Sequence, residues 1–343
     1  GTAATTTISN SSLFKLELKG TVNERVVENP FATLMGEEQA ALGLNDILAS
    51  IQKAADNDFI KGIYLEAGNI SAQPASIEEI RNALVRFKQT GKFIVAYNDN
   101  YSQTLYYLAS VADKIYIQPE GSFSWHGIAS TTLFFKGAFD KLGINAEAFR
   151  PTVCKYKSAV EPYLLTKMSE ANRLQLEALG NSMWNTINTT VAQARGISVE
   201  AMNKIADNTP TLFPNQALEL KLVDGVIYRD QMEDIFTEYG VERNFMNEFE
   251  FISLGDYCSV VGKDSKKHSA PKIGIIYAEG TIVDGENKAI DGNIYGTTLA
   301  NTLAKARKDE SLKAVVLRVN SPGGSALASD VIWREVELLK AVK

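Results

Sequence analysis

Apolar and polar residues alternate along this chain with two periods that succeed one another. Leu16-Glu17-Leu18-Lys19-Gly20-Thr21-Val22 alternates residue by residue, as a strand with one buried face does. Leu44, Ile47, Leu48 and Ile51 then recur at helical spacing over Leu44–Ala55. The short apolar run Lys61-Gly62-Ile63-Tyr64-Leu65 predicts a buried strand, and Ser76–Lys88 predicts a helix. The series continues with strand Phe93–Tyr97, helix Gln103–Val111 and strand Lys114–Ile117. Strand and helix in this order predict parallel βαβ units with helices covering the sheet. From about Glu170 to Ile205 the pattern reads as one long helix, with Leu174, Leu176, Leu179, Met183 and Ile187 on its apolar side. Asn215–Val223 reads as a further short helix, ended by Asp224-Gly225.

The opening series comes a second time. Ile273–Ile282 is another strand that meets Gly-Thr before an apolar residue. Leu299, Leu303 and Ala306 mark a helix, Lys313–Leu317 a buried strand, and Ala326–Lys343 a helix. The ordered series predicts two copies of one unit. The expected division is a first repeat at 1–165, a helical extension with linking elements at 166–256, a polar linker at 257–270 and a second repeat at 271–343. The second copy stops inside its last helix, so the sequence reads as a piece of a longer chain with a comparable length downstream. The small, polar start Gly1–Thr7 reads as a flexible lead-in.

Composition narrows the function. At 343 residues the chain has room for two domains. A net charge of −6 offers no basic surplus for neutralising phosphates, which argues against a nucleic-acid partner. No stretch approaches the roughly 20 apolar residues that cross a bilayer. Cys154 and Cys258 lie far apart and read as two unpaired thiols, although one disulfide between them is open. The two histidines, His126 and His268, are too few for a metal cluster, and no cofactor is expected. His268 sits in the solvated run Lys263–Ser269, so a Ser/His pair would rest on His126 alone. His126, among strand-like residues, reads as packed or hydrogen-bonded.

Asn320-Ser321-Pro322-Gly323-Gly324-Ser325 separates the second buried strand from its helix. Two glycines let the backbone turn sharply, and free N–H groups at a helix start can hold a developing oxyanion. Such a loop lies at the carboxyl end of a parallel sheet, where ligands gather. A plain helix cap explains Ser325 equally well. The repeat adds to the picture, since Gln73 stands opposite Ser325 and Asn69–Gln73 lacks the glycines. A serine nucleophile needs a base, and a desolvated lysine can serve. Lys157 lies among small and apolar neighbours in Val153–Pro162, although from composition alone a solvent-facing lysine paired with Glu161 is the better reading.

At these residues the sequence resembles the signal peptide peptidase A (protease IV) family in its long bacterial form with two fused repeats. The likeness rests on Tyr101-Ser102-Gln103, Tyr106-Tyr107-Leu108-Ala109-Ser110, Tyr156-Lys157-Ser158-Ala159-Val160-Glu161-Pro162, Lys221-Leu222-Val223-Asp224 and Leu317–Ser325. It implies an α/β fold of crotonase- and Clp-protease-like βαβ repeats. It implies a serine peptidase with Ser325 as nucleophile, Lys157 as general base, and Gly324 and the weaker Gly280 as oxyanion candidates. It further implies a ring-like tetramer on the extracytoplasmic (periplasmic) side of the inner membrane. An N-terminal anchor outside this sequence would hold it there, with remnant signal peptides as substrates. The alternatives are a crotonase-like enzyme acting on acyl-CoA and a non-catalytic assembly module.

Overall fold

The computed structural model describes residues 8–25, 41–150, 153–259, 271–287 and 292–343. Gly1–Thr7, His268 and the side chain of Cys258 lie outside the described residues, as does the 257–270 linker beyond Ser259. The chain divides into two compact units. The first is Gly1–Val22 with Ala40–Val260, and the second is Asn23–Gln39 with Val261–Lys343.

The first unit is built on β1 (Ser12–Asn23), β2 (Ala41–Gly43), α1 (Leu44–Asp56), β3 (Ile60–Ser71), α2 (Pro74–Lys88), β4 (Phe93–Tyr101), α3 (Gln103–Ala109) and β5 (Lys114–Ser124). After these come α4 (Lys136–Leu142), α5 (Glu161–Leu164), α6 (Glu170–Arg195), α7 (Val199–Asn208), β6 (Thr211–Leu212), α8 (Pro214–Glu219) and β7 (Gly225–Val226). A 3-10 turn at Arg229–Gln231, α9 (Met232–Glu238), β8 (Glu250–Ser253) and α10 (Leu254–Ser259) complete it. The sheet runs β2-β1-β3-β4-β5-β6, with β7 also on β5 and β8 on β1. Pairs β1/β3, β3/β4 and β4/β5 are parallel, as the alternation of elements predicts.

Successive strand residues face opposite sides, which explains two separate buried clusters. Phe14, Leu16, Ile63, Leu65, Ile94 and Ile115 pack under α1, α2 and α3. Leu13, Tyr64, Val95, Tyr97 and Tyr116 meet Met232 and Phe236 of α9 on the other face. Burial on both faces is why these strands read as apolar runs. Lys92 Nζ donates to Ala54 O, Ala55 O and Asn57 O at 2.7–2.9 Å, which closes the carboxyl end of α1 with a cation.

The predicted helix from Glu170 to Ile205 is two helices. Gly196 adopts φ 64° as the cap of α6, and Ser198 starts α7 by accepting from Ala201 N–H. The predicted apolar side also shifts. Leu174 and Leu179 are exposed, while Val191 and Ala192 near the other end are buried, because only that end of α6 lies on the core.

The second unit holds β9 (Lys272–Glu279), β10 (Thr281–Val283), β11 (Asn293–Tyr295), α11 (Gly296–Lys308), β12 (Leu312–Asn320) and α12 (Ala326–Lys340). β9 pairs with β12 and β10 with β11, both in parallel. Ala278, Ile294, Leu303, Ile332 and Leu339 form its buried cluster. The predicted strand Ile273–Ile282 is broken at Gly280, whose φ of 108° separates β9 from β10. Ile273, Ile275, Val316 and Val319 stay exposed.

Candidate active site

Ser325 is the N-cap of α12, and its Oγ accepts from Ala328 N–H at 3.2 Å. The loop before it is held against β10. Ile282 N–H donates to Gly323 O and Ser325 N–H to Ile282 O, both at 2.9 Å. Gly324 bridges Ile282 at φ 153°, so close that an added Cβ would lie 2.0 Å from Ile282 O. Only glycine fits that approach. Gly323 N–H goes to Ser321 Oγ. The Gly324 N–H has no acceptor among the described residues. Gly280 N–H, in contrast, donates to Asn320 O at 3.0 Å, and an added Cβ there would meet Gly292 O.

One contact at this turn was not visible in the sequence. Ser325 Oγ–H donates to Asp284 Oδ1 at 2.5 Å. Asp284 directly follows β10. The signal that could have found it is the Asp-Gly pair straight after the repeated Gly-Thr strand.

Lys157 belongs to the first unit, in the segment between α4 and α5. Its N–H closes a turn onto Cys154 O at 2.9 Å, and its side chain is exposed. The expected pairing with Glu161 gives way to another arrangement. Glu161 is buried and accepts from Ser169 Oγ–H at 2.6 Å, Ser169 N–H at 3.2 Å and Asn172 Nδ2 at 3.0 Å. Burial alone would raise the pKa of this carboxyl. The bonds from Ser169 and Asn172, with the Arg150 charge, outweigh burial and hold it below the ordinary glutamate value. Gln175 Nε2 donates to Ser158 Oγ at 2.9 Å. Thus Ser158 and Glu161, which follow Lys157, tie the chain to the start of α6, and the lysine side chain stays exposed. Phe149 and Val153, just before it, are 96% and 94% exposed.

His126 is exposed, with Nδ1 3.1 Å from Gly127 O. Gln103 grips this turn, accepting from His126 N–H and Gly127 N–H and donating to Gly127 O. The groove of about 460 Å³ beside it, lined by His126, Trp184 and Asp207 among others, includes neither Ser325 nor Lys157. Other motif residues have architectural work. Tyr106 O–H donates to Leu222 O at 2.5 Å, and Asp224 accepts from Ile115 N–H at 2.9 Å and pairs with Arg195 at 3.0 Å. Cys154 is a free thiol.

Residues 86–238 match the model of peptidase family S49. Protease 4 of Haemophilus influenzae is 36% identical over 312 residues, covering 87% of this chain and 49% of the relative. Protease 4 of Salmonella typhi is 37% identical over 306 residues, covering 87% and 48%. The chloroplastic serine protease SPPA of Arabidopsis thaliana is 27% identical over 347 residues, covering 98% and 48%. The chain spans about half the length of these relatives.

Proposed function

The chain carries a peptidase family S49 domain at residues 86–238, and from that premise we propose that it is a serine endopeptidase working through a Ser325/Lys157 dyad. The observation that carries this reading is Ser325 itself. It caps a helix behind two glycines of positive φ, beside an N–H with no acceptor among the described residues.

In the mechanism, neutral Lys157 Nζ takes the proton from Ser325 Oγ as Oγ bonds to the peptide carbonyl carbon. The carbonyl π electrons move onto its oxygen, which the Gly324 N–H holds. Gly280 is the second donor, and serves only by giving up Asn320 O. Lys157 then passes its proton to the leaving amine, and water hydrolyses the acyl-enzyme. A lysine can act as base only when desolvated. Its exposed position in a single chain therefore fits a site closed by assembly or by substrate.

The tandem arrangement belongs to the same reading: crotonase-like repeats at 1–165 and 271–343, joined through 166–256 and a linker at 257–270. Its support lies in matched elements. Leu44 and Gly296 open α1 and α11, Ile60 and Leu312 open β3 and β12, and Pro74 and Ala326 open α2 and α12, each pair separated by the same number of residues. Lys343 Nζ donates to Ala306 O and Asp309 O at the end of α11, as Lys92 does for α1. Remnant signal peptides are the proposed substrates. The proposed setting is a membrane-anchored homotetramer on the periplasmic face. The apolar side chains exposed around Lys157, among them Phe149, Val153 and Leu165, suit an apolar peptide.

Labelling with a fluorophosphonate, followed by peptide mapping, tests this reading. Modification of Ser325, absent in Ser325→Ala, is expected. Modification elsewhere, or none in the assembled protein, overturns it.

A further inference from the structure

We propose that Asp284 sets the reactivity of Ser325 by holding the hydroxyl proton away from the base, an inference that rests on Ser325 being the nucleophile. The contact is built from both sides. Two residues before Asp284, Ile282 exchanges hydrogen bonds with Gly323 and Ser325. One residue after it, Gly285 O accepts from Thr297 N–H at 3.0 Å at the start of α11. The backbone around Asp284 is thus pinned to the nucleophile loop on one side and to a helix on the other. The short aspartate side chain completes the bond to Ser325 Oγ at 2.5 Å, the separation of a hydroxyl donating to a carboxylate.

A hydroxyl has one proton to donate. While Asp284 accepts it, Ser325 is fixed in its capping rotamer and that proton is not aimed at a lysine. Attack requires the proton to move from Oγ to Lys157 Nζ, while the Oγ–C bond forms and the carbonyl electrons pass to the oxyanion. The negative charge that develops on Oγ during this transfer would face the Asp284 carboxylate at hydrogen-bond range, and like charges oppose each other there. Asp284 therefore restrains the free serine. A substrate group or a neighbouring cation that draws the carboxylate aside releases it.

The test compares second-order rates of fluorophosphonate labelling at Ser325 in the full chain, for the unchanged protein, Asp284→Asn and Asp284→Ala, with Ser325→Ala as the blank. Asp284→Asn keeps the shape and an acceptor oxygen and removes the charge, so it carries the test if Asp284→Ala folds poorly by thermal melting. Asp284→Asn is expected to label roughly tenfold faster than the unchanged protein, a change of one decade in rate. An equal or slower rate for Asp284→Asn, with Ser325 labelled in the unchanged protein, overturns the role of Asp284 and leaves the nucleophile standing. No labelling of Ser325 in any protein overturns both.

Discussion

The turn from β3 into α2 and the turn from β12 into α12 occupy corresponding places and have been put to different uses. In the first unit the β1–β3 ladder runs on to Thr21 and Ser71, and α2 starts at Gln73 with no side-chain cap and Pro74 at its first position. In the second unit the β9–β12 ladder ends at Glu279 and Asn320, and two glycines of positive φ carry the chain past Ile282 to a capping serine. The strands and helices around the two turns come in the same order, and α2 and α12 are each 15 residues long. On the proposed reading, chemistry belongs to the turn and the scaffold holds it.

The sharpest way to break that comparison is to remove the two groups given chemical roles. Ser325→Ala is expected to lower peptide cleavage by at least about a thousandfold. Its loss of stability, read by denaturant unfolding, should be only about 1 kcal/mol for the lost cap. Lys157→Ala should cost as much activity and leave stability nearly unchanged, because its side chain is exposed. An equal loss of stability and activity in either variant would make these residues structural. Gly324→Ala is expected to destabilise the second unit by about 2–4 kcal/mol, since its Cβ would lie 2.0 Å from Ile282 O, and to abolish labelling with it.

The βαβ order and the capping serine were legible in the sequence, because each rests on local periodicity or local turn chemistry. Strand ends were not. β3 runs on to Ser71 and β5 to Ser124 because their neighbours pair with them, and pairing is not a local property. The single helix expected from Glu170 failed at Gly196, where one glycine cap outweighed the apolar period. Asp284 was hidden because its partner lies 41 residues away in sequence. The expected Glu161–Lys157 pair failed for a related reason, since Ser169 and Asn172 reach Glu161 from the start of another helix.

Smaller effects sharpen the contrast. Glu161→Gln is expected to lower stability at neutral pH by about 1–2 kcal/mol, through weaker bonds to Ser169 and Asn172. The sign with pH follows from the lowered pKa of Glu161. A carboxyl whose folded pKa is depressed contributes stability above its unfolded pKa, and that contribution fades as pH falls through the folded value. The gap between Glu161→Gln and the unchanged protein should therefore close in acid, as read by urea unfolding across pH. Gln73→Ser is the gentlest change. It supplies a cap that α2 lacks and should add at most about 1 kcal/mol. No labelling should appear at residue 73, since Asn69–Ala72 provides no glycine turn.

The dyad is tested most directly by a crystal structure of the assembled protein with a phosphonate bound covalently to Ser325. Lys157 Nζ is predicted to lie within hydrogen-bond reach of Ser325 Oγ, about 2.6–3.2 Å, from the same chain or a neighbouring copy. A different base at that distance, with Lys157 still in solvent, would contradict the account.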